Sequence, residues 1–164
     1  MPGQQVLRAH LAYTAWASAK LVEAAAQLSE EELNRDFATA DKSVLGTLVH
    51  VFAADRIWYS RVTGNPRSTF IDEADRSLAL LQTEWPALSE RWAQLAAGLT
   101  DDAIAAQVPY KDLRGNPHQQ PLWQILLHMV NHGSHHRGQA VGFLRTMGHK
   151  PPALDLIAYY RSNS

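Results

Sequence analysis

Cysteine is absent from the 164 residues. That excludes disulfide staples, thiolate catalysis by the chain itself and Cys-ligated zinc. An excess of charge of either sign is missing too: 15 basic and 16 acidic residues leave a formal net charge of −1. They are spread along the chain with no basic stripe or acidic tail, so nucleic acid and an anionic membrane are poor partners. No apolar run reaches the roughly 20 residues of a transmembrane helix. The stretch "MPGQQVLRAHLAYTAW" lacks the charged and continuously apolar regions of a secretory signal. The expected location is therefore the cytoplasm.

What is present reads as one soluble helical domain over 1–164. Hydrophobic residues make up 46 % and charged residues 19 %, an ordinary balance for a chain long enough to bury its own core. Leu7, Leu11, Thr14, Ser18, Leu21, Val22, Ala25 and Leu28 recur at helical spacing and predict a first helix over 5–28. "SEEELNRDF" is a polar connection with room for one extra turn. Ser43 is a good N-cap for a second helix that runs to Gly64. "NPRSTF" is a loop. A third helix is expected over 72–97, kinked or broken at Pro86. The prolines and glycine of "VPYKDLRGNPHQQ" mark an irregular insert, with fragments able to pair as a small hairpin. Pro121 suits the first turn of a fourth helix that extends to Gly148. "HKPPALDLIAYYR" closes the chain with an apolar turn or two. The expected class is all-α, a four-helix bundle with a small insert before the last long helix.

That last helix holds "HMVNHGSHHRGQ", with His128, His132, His135 and His136. Each residue advances about 100° around a helix. With His128 at zero, Leu122, Met129, Gly133, Ala140 and Met147 cluster near a line at about 120°, the core face. His136 and His132 flank that face at about 80° and 40°, one turn apart, while His128 and His135 lie further round the edge. Arg137, at about 180°, leaves toward the other flank. A half-buried i, i+4 histidine pair can place two ring nitrogens on one ion, about 2.0–2.1 Å from each. Gly133 and Gly138, costly inside a helix, point to space cleared for a ligand. His50, in "GTLVHVFAADRIW", sits in a helix that is apolar nearly all round. It is either a hydrogen-bonded core residue or a third ligand, and the wheel leaves both open. His10, His118 and His149 are expected in solvent.

Three segments together resemble the DinB-like family of small helical proteins, related to YfiT-like metal-dependent hydrolases. "YTAWASAKL" looks like a family stretch in the first helix, with Thr14 where Asn is more usual. "LGTLVHVFAADRIWYSRVTG" looks like the second-helix motif, centred on His50. "VNHGSHHRGQAVGFLRTMGHKPPALDLIAYY" is similar to the family signature. The resemblance implies an up-down-down-up bundle, a homodimer, and one divalent metal held by His50, His132 and His136. It leaves His128 and His135 as neighbours of the site.

Three neutral imidazoles leave at least one coordination position open, the pattern of a catalytic rather than a structural site. Water held there has its pKa lowered from about 15.7 toward 7. A low-molecular-weight thiol could instead be held ionised as a nucleophile. Imidazole donors suit zinc, nickel, iron or copper; zinc and nickel lead, with iron and manganese as further options. The family includes thiol-dependent transferases and enzymes labelled hydrolases, so both chemistries on a small-molecule substrate are implied, with a non-catalytic, stress-related metal-binding protein as the alternative. Metal affinity is expected to fall as pH drops through the ordinary imidazole range near 6.5. Asp55 is the carboxylate nearest His50 in sequence, yet it falls near the opposite side of that helix and is no obvious base. Gln139 is a candidate hydrogen-bond partner beside the metal. Arg137 reads as a helix-tying residue or an anion binder, with the first favoured. Trp16, Trp58, Trp123, Tyr159 and Tyr160 read as core or interface aromatics, the two tyrosines also as a cover for the metal pocket.

Overall fold

The computed structural model describes residues 2–65 and 71–162. The chain is predominantly helical, in the order α1 (Pro2–Ala25), α2 (Glu30–Asn34), α3 (Val44–Thr63), α4 (Leu78–Ala97), α5 (Asp101–Ala105), strands β1 (Gln107–Lys111) and β2 (Pro117–Pro121), α6 (Leu122–Thr146) and α7 (Leu156–Ser162). Most of the loop expected from "NPRSTF" lies outside the described residues. Among the described residues, no helix is long and apolar enough to cross a membrane.

Short polar side chains fix where the helices begin. The hydroxyls of Ser43, Ser77 and Thr100 accept from Gly46, Leu80 and Ala103 backbone N–H groups at 3.0, 3.1 and 3.1 Å. Each satisfies a donor that the first turn leaves orphaned. The extra turn read from "SEEELNRDF" is α2, started by a reciprocal capping box between Ser29 and Glu32. Glu32 also meets His149 at 2.8 Å, tying α2 to the turn after α6; this histidine is an anchor and not the free surface group expected.

The third long helix differs from expectation. It begins at Leu78, and Pro86 lies inside an unbroken α4. Trp85 and Leu88, on either side of the proline, are both buried. Their packing outweighs the single backbone bond that Pro86 cannot donate.

Among the described residues, four long helices, α1, α3, α4 and α6, surround the core. α1 packs on α4 and α6, and α3 packs on those same two helices. Phe52, Leu48, Leu81, Leu126 and Leu144 fill the space between them. The insert is an antiparallel hairpin whose register pairs Tyr110 with His118 and Lys111 with Pro117. Its turn is knotted by Asp112, whose carboxylate accepts from the backbone N–H groups of Arg114 and Asn116, both at 2.9 Å. β1 lies on α3 and β2 on α6, which sets the hairpin beside the histidine row.

Candidate metal centre

His50 comes from the middle of α3; His132 and His136 come from successive turns of α6. The α3–α6 packing brings them together across 82 residues of sequence. His50 Nε2 and His132 Nε2 are 3.1 Å apart, and the ring of His136 lies 4.4 and 4.5 Å from those of His50 and His132. One nitrogen from each ring falls within 4.8 Å of the other two. Nitrogens that share an ion at about 2.0–2.1 Å stand on the order of 3 Å apart, so the donor set fits a divalent ion of the zinc type. His128 and His135 are exposed and do not join the cluster, as the wheel indicated.

Asp41 is the residue the sequence did not reveal. One carboxylate oxygen lies 3.4 Å from His50 Nδ1, and the other lies 3.3 Å from His136 Nδ1. Gln139 Oε1 approaches that same His136 nitrogen at 2.8 Å, so Gln139 touches the outer edge of the His136 ring. The hydrogen bond to Gln139 selects the His136 tautomer with hydrogen on Nδ1, and the negative charge of Asp41 beside His50 Nδ1 favours the same tautomer there, which leaves Nε2 of both rings for an ion. Carboxylate–histidine–metal arrangements orient ligands and raise their basicity in this way.

The loop that presents Asp41 is tightly constrained. Lys42, the next residue, has φ of 63°, in the left-handed region that non-glycine residues seldom adopt. Phe37 stacks on Phe143 of α6 at 4.3 Å and donates its backbone N–H to the Lys42 carbonyl at 2.8 Å. Gly46 makes room behind the loop. A Cβ there would stand 2.0 Å from the Asp41 carbonyl oxygen, a separation that backbone atoms cannot accommodate. We expect Asp41→Ala to weaken zinc binding about 10–100-fold. Gly46→Ala should weaken it in the same direction by displacing the loop. Calorimetric zinc titration of both variants checks this, and native affinity in Asp41→Ala would show that the carboxylate does not orient the ligands.

Burial and the neighbouring imidazoles push His132 down to about 4. Burial, followed by the charge of His50, also lowers His136. Both are therefore neutral at pH 7 with a ring nitrogen free to donate to an ion, and any competition by protons at these two rings moves below the ordinary range near 6.5.

The other candidate residues have different work. Asp55 is fully buried, and its Oδ2 accepts from the Trp85 indole at 3.1 Å, away from the histidines. Burial pushes its carboxyl up to about 7, against the opposing charge of Arg137. Arg137 is itself buried, at 2 % exposure. Its guanidinium donates to Ser18 and Thr14 of α1 at 3.3 and 3.4 Å, and to Ser134 at 3.1 Å. This is the helix-tying role. It also corrects the reading of Gly133, because a Cβ there would meet Arg137 Nη1 at 2.7 Å. The glycine clears space for the arginine, not for a metal ligand. Tyr159 packs on Tyr13 and Trp16 of α1 at 5.9 and 5.5 Å, so it buttresses α1 instead of covering the histidines. Trp58 is half-buried and forms the wall of a cavity beside His50 and His132.

Sequence comparisons agree with this architecture. A family model described as the DinB family matches residues 3–163. The protein named Protein DinB from Bacillus subtilis (strain 168) is 21 % identical over 155 residues, spanning 90 % of this chain and 89 % of that protein. The match covers all three histidines as well as the four long helices, and the chain belongs to the DinB family.

Proposed function

We propose that this protein is a metal-dependent enzyme whose divalent ion, zinc or nickel, is held by His50, His132 and His136 within an up-down-down-up four-helix bundle. One observation carries the catalytic reading. His50 and His132 line an open cavity of about 430 Å³, so an ion between the three rings has a side that faces a space large enough for a small molecule. A structural site or a metal store is more often closed by protein on all sides.

When bound, the ion supplies a Lewis-acidic position that favours the ionised form of water or of a thiol. The chain's own groups do the rest. Gln139 accepts the His136 Nδ1 hydrogen, and the Asp41 carboxylate faces Nδ1 of His50 and His136 and holds the rings in place by its charge. The packed α3–α6 seam backs the three histidines, and the cavity beside His50 and His132 gives substrate its approach. Transfer of a low-molecular-weight thiol to an electrophile is favoured over hydrolysis, because among the described residues no free carboxylate stands beside the cavity to activate water: Asp41 faces two histidines, Asp55 is buried elsewhere, and Asp112, which lines the cavity, has both oxygens engaged within the hairpin.

Cobalt-substituted protein tests this reading. Addition of glutathione, bacillithiol or mycothiol should produce a sulfur-to-cobalt charge-transfer band. The zinc form should conjugate at least one of those thiols to a model electrophile, and the chelated form should not. Absence of both responses would overturn the thiol-dependent reading, and turnover of esters or amides without thiol would assign hydrolysis in its place.

A further inference from the structure

The cavity has a second pole. Arg61, in the last turn of α3, stacks its guanidinium 4.4 Å from the centre of the Trp58 ring and 5.1 Å from that of Tyr110. Arg61 is half-buried, and burial lowers its pKa below the usual arginine range. Among the described residues no carboxylate lies within ion-pair distance of it. Asp112, a carboxylate of the same cavity whose charge acts on Arg61, has both oxygens engaged by Arg114, Asn116 and His118 within the hairpin. A basic residue at a helix C-terminus complements the helix dipole. That role requires neither two aromatic walls nor a position inside a cavity.

An unpaired, partly desolvated cation therefore sits against a pair of touching aromatic rings, in a cavity that is also lined by His50 and His132 and by Asp112 and Arg114 of the hairpin turn. Ala54 and Ile57 supply an apolar floor between the two poles. Arg61 also contributes to lowering His128, so its charge is felt at the histidine row. Such a cation is stabilised by an anionic ligand that restores the lost hydration with charge-assisted hydrogen bonds, and the planar guanidinium suits a carboxylate.

We propose that this cavity is the substrate subsite and that Arg61 reads an organic carboxylate with a flat apolar body, which lies against Trp58 and Tyr110 with its far end toward the histidines. This rests on the enzyme reading above, but the cavity and its cation can be tested apart from the metal.

Calorimetric titrations with 3-phenylpropionate and its neutral amide, on zinc-loaded and on chelated full-length protein, provide that test. The carboxylate should bind native protein at least about tenfold more tightly than the amide in both forms. Arg61→Gln should abolish the preference while leaving amide binding intact, and Arg61→Lys should keep part of it. Melting curves confirm that each variant folds. If the preference survives in Arg61→Gln, or if neither probe binds native protein, the subsite assignment is wrong. A preference seen with zinc and lost with chelator would also overturn it, since the carboxylate would then be binding the ion. Failure of the protein to take up zinc, with the carboxylate preference intact, would sink the enzyme reading and leave the Arg61 site standing.

Discussion

Arg137→Ala should destabilise the protein by about 3–5 kcal/mol, a melting-temperature loss of roughly 6–20 °C for a chain of this size. The guanidinium is 2 % exposed and bonded to Thr14, Ser18 and Ser134. Its removal leaves a cavity between α1 and α6 and strips the buried Asp55 of its compensating charge. Arg137→Lys keeps the charge but not the fork of donors, so an intermediate loss is expected. Because the role is structural, the loss should be equal in zinc-loaded and chelated protein, and zinc affinity of the folded variant should be unchanged. Urea unfolding in both forms measures this. A loss below about 1 kcal/mol would place Arg137 among ordinary surface residues, and a selective loss of metal would move it into the site.

Binding of zinc should raise the melting temperature by about 5–10 °C when the ion is present at roughly 100 times its dissociation constant, a gain of about 2.7 kcal/mol. The ion binds the folded arrangement of α3 and α6 far better than the open chain. In His50→Ala the α3 donor is gone, so chelation should barely shift the melting temperature. The pH dependence follows from His132, lowered to about 4 in the folded protein against about 6.5 in an unfolded chain. Between those values the unfolded chain binds more protons. The metal-free protein therefore loses stability as pH falls through this window, and the His132 contribution is exhausted below about 4. Protons also compete with the ion for the same nitrogens, so the chelator effect should be larger at pH 7 than at pH 5. A chelator shift of equal size in native protein and His50→Ala would reduce His50 to a core histidine.

The helices and half of the site were legible in the sequence because both depend on local periodicity. Ser43 and Gly64 bound α3 as read, and the wheel separated His132 and His136 from His128 and His135. His50 was ambiguous, since an apolar surrounding on every side gives a helix no preferred face; the resemblance to a family, not the residue pattern, singled it out. Asp41 was invisible. It lies in an irregular loop whose shape depends on Lys42 in the left-handed region, on Gly46 and on the Phe37–Phe143 stack, and no periodicity reports such tertiary contacts. Gly133 was misread for a related reason. An interior glycine announces a close approach without naming the partner, which here is a guanidinium four residues along the same helix. The break allowed for at Pro86 does not occur, because helix propensity carries no information about the burial of Trp85 and Leu88.

The central claim is a single ion held by His50, His132 and His136, and metal content after equilibrium dialysis against zinc tests it most directly. Native protein should retain close to one ion per chain, and so should His128→Ala and His135→Ala. His50→Ala, His132→Ala and His136→Ala should each lose most of it while remaining folded. Full occupancy in any of those three variants, or loss of the ion in His135→Ala, would contradict the assignment.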